Sequence, residues 1–458
     1  MRSSNSLKGD FQIFTRRLGP NSFWLVVSRL GSQALSALTI ILVARALGPS
    51  GLGGFTLITT LILVANVFTT FGLDTLLVRE LARSRDPHST YLSAALWLQL
   101  ALSIVMIIGL LLMSGRIPNQ TPATHLAIQI YSLALLPLAY YTVYSAVLRA
   151  YERMGLFLLV NFLVTSSQLV GAWLVLRLGG DLVSLSIILL TSQTLGALAA
   201  RWLSNRVAPG IRLSGRAPQD TRRLVRQVLH QSRLLALLGG LAVISQRLGV
   251  LALSFIAGQS MTGTFSAATR LVELLKLGHY AYFGALFPVL SAQAGKNSPK
   301  QEVLQPISRR LVRLSFASLM LLSIGAALVL HWLAGPLISL LYGPGYAPSA
   351  ELLKLLVWIL VPYTISAQLS LEMVTKRQER YVVSSSGVSI CLAVLAYLAL
   401  VPRFGLAGAG LAALSAEAAN ALALMFFSFR MHRGNMVLLP SGNRTTHPEE
   451  FRHEIPTP

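Results

Sequence analysis

The chain alternates between long apolar stretches and short polar connections over most of its length. Because a bilayer core of about 30 Å requires about 20 apolar residues per helix, each stretch is long enough to cross a membrane. In lipid, only helices and closed barrels satisfy the backbone polar groups. The pattern therefore predicts an all-α, polytopic membrane protein with about 12 transmembrane helices. The predicted spans cover residues 22–45, 52–76, 91–113, 124–148, 155–177, 182–203, 231–257, 262–288, 310–334, 349–372, 381–402 and 405–429.

The composition excludes several functional classes. Hydrophobic residues make up 54% of the chain and charged residues 12%, whereas about a quarter of the residues in soluble domains are charged. No Gly-rich phosphate loop ending in Lys-Ser or Lys-Thr occurs, and the lone Cys391 excludes a cysteine-based metal site. We therefore expect no nucleotide-binding domain, no cofactor and no metal site.

The positive charge is distributed by membrane side. With both termini assigned to the cytoplasm, the cytoplasmic segments hold 28 Lys and Arg residues, and the opposite side holds 4: Arg45, Arg116, Arg177 and Arg403. Such an asymmetry is typical of the positive-inside distribution in multi-pass proteins of the cell (inner or plasma) membrane. The net charge of +22 is thus attributed to topology and to contacts with anionic lipid headgroups, and no nucleic-acid partner is expected.

Two halves of the sequence resemble each other. GPSGLGGF (residues 48–55) and GQSMTGTF (258–265) match at an offset of 210, and Pro137 matches Pro362 at an offset of 225. A six-span unit used twice enters the membrane from the same side each time, which makes a parallel repeat. We predict an N-terminal six-helix bundle (1–204), a basic cytoplasmic linker (205–230), a C-terminal six-helix bundle (231–430) and a disordered cytoplasmic tail (431–458).

Several short motifs resemble those of the prokaryotic polysaccharide flippases. They are ARALGPSGLGGF (44–55), FGLD (71–74), VRELAR (78–83), the Gln246-Arg247 pair, GTFSAATR (263–270) and LVPRFGLAGAGLAA (400–413). The chain thereby resembles the multidrug/oligosaccharidyl-lipid/polysaccharide exporter superfamily. One departure is Gln246, since family members often carry an aspartate before this arginine, and a role resting on that acid is in doubt here.

The resemblance implies two bundles in a V shape, as in the MATE transporters, around a central cavity. It implies a transporter, not an enzyme, that flips a polyprenyl-pyrophosphate-linked oligosaccharide from the inner to the outer leaflet by alternating access, for cell-surface polysaccharide biosynthesis. Expected partners are the lipid-linked oligosaccharide, membrane lipid and, further, glycan polymerisation machinery and a coupling H+ or Na+. A cation-coupled multidrug exporter of the same superfamily and a membrane enzyme of glycan assembly stay open as alternatives.

Charged residues within the spans are the candidate site residues, because a charge at mid-bilayer costs about 2.5–3.5 kcal/mol on insertion scales. Arg247 lies about 15 Å from the outer end of its predicted helix, near the bilayer middle. Arg270, Glu273 and Lys276 recur every three residues and so share one helix face. They predict a cationic cavity wall that binds pyrophosphate; the alternative is an ion pair of Glu273 with Arg270 or Lys276.

Three further charges lie within or at the edge of the spans, and two of them allow two interpretations each. Arg29 either lines the cavity or extends its side chain to the cytoplasmic interface, and Arg45 is expected to reach the outer interface. Glu417, with Asn420 one turn later, is either a protonatable coupling site, since desolvation raises a carboxyl pKa, or a neutral hydrogen-bonded helix contact. No catalytic residue is predicted.

Overall fold

The computed structural model describes the backbone of most of the chain. The described ranges are 3–83, 89–209, 221–294, 305–375 and 378–437. Side chains are described within 31–82, 92–209, 236–282, 314–375 and 378–430, with gaps at 238, 280–281 and 315. The side chain of Arg29, residues 210–220 of the predicted linker and residues 438–458 of the predicted tail lie outside these ranges. We call residues 31–209 the first half and 221–437 the second half.

The regular structure of the described residues is helical throughout. The helices are α1 (Ser3–Thr70), α2 (Leu73–Arg83), α3 (Ser89–Ser114), α4 (Pro122–Ser132), α5 (Leu135–Ala150), α6 (Met154–Arg177), α7 (Leu182–Val207), α8 (Thr221–Ile256), α9 (Gln259–Ala294), α10 (Gln305–Tyr342), α11 (Ala347–Leu356), α12 (Leu360–Thr375) and α13 (Glu379–Val437). Short 3₁₀ turns precede α11 (Pro344–Tyr346) and α12 (Val357–Ile359). The all-α prediction is confirmed.

Within the described ranges, nine stretches are long and apolar enough to cross a membrane. Two of them, Gly31–Thr70 and Glu379–Arg430, each contain two crossings, because Gly48 (φ 66°) and Gly405 (φ 54°) break the helix. The remaining crossing is α9, which carries Arg270, Glu273 and Lys276 and is not among the nine. The described helices thus account for the twelve predicted crossings.

Two proline-containing crossings are broken at matching places. Pro137 cannot donate a hydrogen bond to the carbonyl of Leu133, and Pro362 cannot donate one to that of Trp358. Accordingly, the crossing that contains Pro137 is divided into α4 and α5. The crossing that contains Pro362 is divided into α11 and α12 by the 3₁₀ turn Val357–Ile359. A helix lacking one ladder hydrogen bond bends most easily there. Both crossings are therefore interrupted next to their proline, and the two prolines lie at an offset of 225 residues.

The two repeated glycine motifs lie against each other where the halves meet. A Cβ on Gly53 would collide with the carbonyl of Gln259, and a Cβ on Gly263 would collide with the carbonyl of Pro49. Each glycine therefore packs against the second residue of the other motif, which is the reciprocal contact that a two-fold axis produces. Small residues allow such close backbone approach between membrane helices. We call this pair of contacts the glycine crossing.

Side chains around the glycine crossing also join the halves. The Gln259 amide donates to Thr124 Oγ1 (2.6 Å), and Ser50 donates to Gln259 Oε1 (3.1 Å). Gln120 donates to the carbonyl of Ser254 (2.9 Å). The Tyr346 hydroxyl donates to the carbonyl of Ala44 (3.2 Å). The end of the molecule that carries Gly48, here called the Gly48 end, is thus closed by hydrogen bonds between the halves.

One local feature differs from the sequence predictions, and two others add detail to them. Arg45 is exposed and donates to the carbonyls of Leu340 and Leu341 at the end of α10, where the helix dipole favours a cation; its position at the outer interface stays a prediction. The predicted second span ended at 76, but α1 ends at Thr70, since Phe71 and Gly72 adopt left-handed φ values. At the boundaries of the predicted linker and tail, α7 extends to Val207, α8 begins at Thr221 and α13 extends to Val437.

Candidate functional site

Two cavities open beside the same group of charged residues. One, of about 320 Å³, lies between the halves and is lined by α1, α4, α5, α6, α7, α8 and α9; we call it the central cavity. The other, of about 440 Å³, lies mainly within the second half, against α8, α9, α12 and α13; we call it the second-half cavity. The side chains that line both are Arg247, Val250, Thr269, Arg270 and Glu273. The charges lie in the wall that the cavities share.

One carboxylate in this wall bridges two guanidinium groups. Glu273 accepts from Arg247 through Oε1 (3.2 Å) and from Arg270 through Oε2 (3.0 Å). Arg270 also donates to Ser36 Oγ of α1 (2.8 Å), which links this cluster to the first half. We call Arg247, Arg270 and Glu273 the charge triad. Its formal charge is one positive unit, so an anion entering either cavity is attracted to it.

Arg270 retains unused hydrogen-bonding capacity. Its side chain is only 12% exposed, and its Nε is buried without a hydrogen-bond partner. A buried donor without a partner costs free energy, and a guanidinium presents its donors in a fork that matches phosphate oxygens. The geometry around Arg270 is therefore suited to a further anionic ligand.

Lys276 contacts the ring of Tyr363, and not the carboxylate of Glu273. It lies one turn after Glu273, but its ammonium lies over the ring of Tyr363, 4.3 Å from the centroid. Glu273 pairs instead with the two arginines. Of the two ion pairs considered for Glu273 from the sequence, the structure shows the one with Arg270 and adds Arg247. Lys276 still lines the second-half cavity and brings a third cation to it.

Glu417 lies in the second-half cavity, away from the charge triad's hydrogen bonds. Its Oε1 accepts from Ser366 Oγ at 2.6 Å. Asn420, one turn later, lines the same cavity, and its Oδ1 is buried without a partner. The contact with Ser366 is the hydrogen bond that either interpretation of Glu417 requires, so the geometry is compatible with both.

The first half contributes polar side chains to the central cavity that were not among the residues predicted from the sequence. In α1 they recur at helical spacing, as Thr56, Thr59, Thr60 and Asn66, while α6 and α7 supply Gln168 and Gln193. A polar stripe with a helical period in an apolar span was the available signal. Gln259 was not predicted as a contact residue either, although it belongs to the repeated motif GQSMTGTF (258–265). Among the described residues, no group of three or more His, Cys, Asp or Glu side chains could hold a metal ion.

Comparison with known proteins supports this description. Residues 18–293 match the family described as "Polysaccharide biosynthesis protein". A "probable low-salt glycan biosynthesis flippase Agl15" of Haloferax volcanii is 21% identical over 408 residues, which cover 88% of this chain and 82% of that protein.

Two solved structures share the fold. An inward-facing multidrug resistance MATE transporter of the MOP superfamily superposes with a TM-score of 0.72 at 14% identity, covering 89% of this chain and 96% of its own. The lipid II flippase MurJ, in an inward closed conformation, gives 0.71 at 13% identity, covering 88% and 87%. They confirm the predicted MATE-like arrangement of two bundles. The chain therefore belongs to the polysaccharide biosynthesis protein family and has the fold of the multidrug/oligosaccharidyl-lipid/polysaccharide exporter superfamily.

Proposed function

We propose that this protein flips a polyprenyl-pyrophosphate-linked oligosaccharide from the inner to the outer leaflet for cell-surface polysaccharide biosynthesis. The observation that carries the proposal is the charge triad, which places two arginines and one carboxylate in a wall shared by two cavities inside a membrane protein. Charges in such a place mark substrate pathways. The pyrophosphate binds Arg247 and Arg270, and the polyprenyl chain stays in lipid. The names of the similar glycan and lipid II flippases support transport over catalysis.

Alternating access gives the closed Gly48 end a role. The positive-inside distribution assigns this end to the outer face and both termini to the cytoplasm. Closure at the Gly48 end then corresponds to a state that receives substrate from the cytoplasmic side. In a parallel repeat, rocking of the two halves exchanges the open end. The prolines of the two divided crossings, Pro137 and Pro362, are the proposed bending points.

The charges disfavour the drug-exporter alternative. Among the described residues, the second-half cavity holds three cationic side chains (Arg247, Arg270 and Lys276) against two carboxyl groups (Glu273 and Glu417). A cationic drug would meet like charge there, which is unfavourable at low dielectric constant. Coupling to H+ or Na+ through Glu417, and association with polymerisation machinery, remain predictions within the same proposal.

The proposal is tested by removing the two cations of the charge triad. We expect Arg247→Gln with Arg270→Gln to abolish surface polysaccharide and to trap lipid-linked oligosaccharide in the inner leaflet, because each arginine supplies charge-assisted hydrogen bonds to phosphate. Surface glycan and the leaflet distribution of the lipid-linked precursor are measured. The matched control is Arg177→Gln, since this exposed arginine packs on Trp173 outside both cavities. Normal glycan in the double variant, at normal abundance in the membrane, contradicts the proposal.

A further inference from the structure

The two walls of the central cavity differ in chemistry. The second half contributes the charge triad, whereas every described lining residue of the first half is uncharged. Nine of the first-half lining residues carry amide or hydroxyl groups, and we consider five of them, which come from three helices: Thr56, Thr59, Asn66, Gln168 and Gln193. We call them the polar wall. Because polar groups in a membrane span are unfavourable without a partner, this concentration in one cavity wall requires an explanation.

The polar wall offers both acceptors and donors. Thr56 and Thr59 already donate their hydroxyl hydrogens to the carbonyls of Leu52 (2.8 Å) and Phe55 (2.9 Å), so toward the cavity their oxygens act as acceptors. Gln168 and Gln193 each carry an amide with two donor hydrogens and a carbonyl. Asn66 Oδ1 is buried without a hydrogen-bond partner. Such a mixed surface matches a ligand that itself presents hydroxyl groups.

The absence of charge among the described residues of this wall restricts the ligand further. A sugar carboxylate placed against amides and hydroxyls would lose water without gaining a cation, and burying an unpaired charge is costly. A neutral hexose or an N-acetylated sugar exchanges hydrogen bonds with water for hydrogen bonds with the wall. The cavity volume of about 320 Å³ lies at the lower limit of small-molecule sites. It accommodates the headgroup next to the lipid better than a long oligosaccharide.

We propose that the polar wall is a sugar subsite, which binds an uncharged sugar attached directly to the pyrophosphate while the charge triad binds the pyrophosphate itself. This inference rests on the proposed function, since the pyrophosphate fixes which sugar reaches the wall. Selection of the substrate then occurs at the sugar nearest the lipid, and the more distant sugars of the repeat remain outside the recognition site.

Binding of three defined lipids to the purified full-length protein tests the subsite. The probes are geranylgeranyl pyrophosphate and its conjugates with N-acetylglucosamine and with glucuronic acid. We expect the N-acetylglucosamine conjugate to bind about tenfold more tightly than bare geranylgeranyl pyrophosphate, because two additional hydrogen bonds together contribute about that factor in affinity. We expect no such gain for glucuronic acid. This comparison uses the unmodified protein and does not depend on how any variant folds.

Variants then assign the gain to the polar wall. Gln168→Leu with Gln193→Leu is expected to remove the tenfold gain and leave binding of bare geranylgeranyl pyrophosphate unchanged, whereas Arg270→Gln weakens binding of every probe. The control is Gln129→Leu, because this half-buried first-half amide bonds to Ser114 (3.1 Å) and lines neither cavity.

The outcomes separate the subsite from the proposed function. Equal affinity for the bare and N-acetylglucosamine-bearing lipids overturns the sugar subsite, and so does tighter binding of the glucuronic acid conjugate. The same holds if the gain survives in the double glutamine variant. Each of these results leaves pyrophosphate binding intact. If Arg270→Gln binds all three lipids as the unmodified protein does, the pyrophosphate site itself is wrong.

Discussion

At the scale of single residues, Glu273 explains how two arginines are tolerated inside the membrane. Each guanidinium alone would be an expensive buried charge, and the shared carboxylate compensates part of both. The Glu273 carboxylate also competes with an incoming anion for the two arginines. An anionic ligand therefore has to displace or share the hydrogen bonds that this carboxylate already accepts. Under the proposed function, we expect Glu273 to limit how tightly the charge triad holds phosphate and so to favour release after translocation.

Glu273→Gln separates these two effects. We expect a lower Tm for the variant, because its two arginines lose their counter-charge. We expect geranylgeranyl pyrophosphate to raise the variant's Tm by more than it raises that of the unmodified protein, since the ligand supplies the missing anion. Thermal unfolding in detergent, with and without the lipid, measures both. Glu351→Gln is a control, as its carboxylate pairs with Lys354 outside the cavities. An equal shift in both proteins would contradict this role of Glu273.

At the scale of helices, the glycine crossing depends on two positions that lack a Cβ. In the interior of an exposed helix, replacing glycine by alanine stabilises by about 1 kcal/mol. At Gly53 and Gly263 the added methyl group would instead meet a backbone carbonyl of the other half. The helices must then separate at the Gly48 end, which opens the side that is closed in this structure.

Gly263→Ala is therefore expected to open the Gly48 end. In a Cys391→Ser background, we expect Thr59→Cys in the central cavity to react with a membrane-impermeant maleimide from outside several-fold faster when Gly263→Ala is present. Gly109→Ala is the matched control, because a Cβ there meets no atom within 4 Å. Identical labelling rates with and without Gly263→Ala would show that the crossing does not close this end.

The helices were predictable from sequence more completely than their contacts. The apolar stretches define the spans, and Pro137 and Pro362 mark the broken crossings because proline removes a known hydrogen bond. By contrast, the glycine motifs indicated a repeat but not that the two copies touch, since contact depends on the relative position of the halves. The acceptors of Arg45 were unpredictable for the same reason, because they lie on α10, nearly 300 residues away in sequence.

The site was predictable only where a residue stands out alone. A charge in an apolar span is conspicuous, so Arg247, Arg270, Glu273, Lys276 and Glu417 were identified as candidates before any geometry. Which partner each takes could not be predicted, because Glu273 has both Arg270 and Lys276 at matching spacing. Gln168 and Gln193 were missed, since a single amide in a span is equally consistent with helix packing.

At the scale of the whole molecule, the reciprocal glycine contacts indicate a two-fold relation between the halves about an axis through the Gly48 end. The hydrophobic core also extends across both halves there, from Leu52 and Phe55 to Leu253 and Phe265. Transport by rocking requires this shared core and the hydrogen bonds of Gln259 to be broken and remade in each cycle. In the proposed mechanism, the Gly48 end therefore contributes to the free-energy difference between the inward-open and outward-open states.

A cross-link between the halves at this end tests the rocking motion. In a Cys391→Ser background, Ser50→Cys with Gln259→Cys places two thiols where a hydrogen bond of 3.1 Å now joins the side chains. We expect a short, cleavable thiol cross-linker to stop polysaccharide export and its cleavage to restore export, because the closed end can no longer separate. Each single cysteine variant, treated identically, is the control. Full export with the cross-link formed would exclude separation of the halves at this end.

The glycine crossing also bears on the electrical insulation of the membrane. Because main chain lies directly on main chain at this crossing, we expect it to hinder a file of water molecules along which protons and small ions could leak. Gly53, Pro49, Gln259 and Gly263, whose backbones form it, carry no titratable side chain, so we expect its fit to be independent of pH. A protein that admits a large polar headgroup from one side can in this way preserve the voltage across the bilayer.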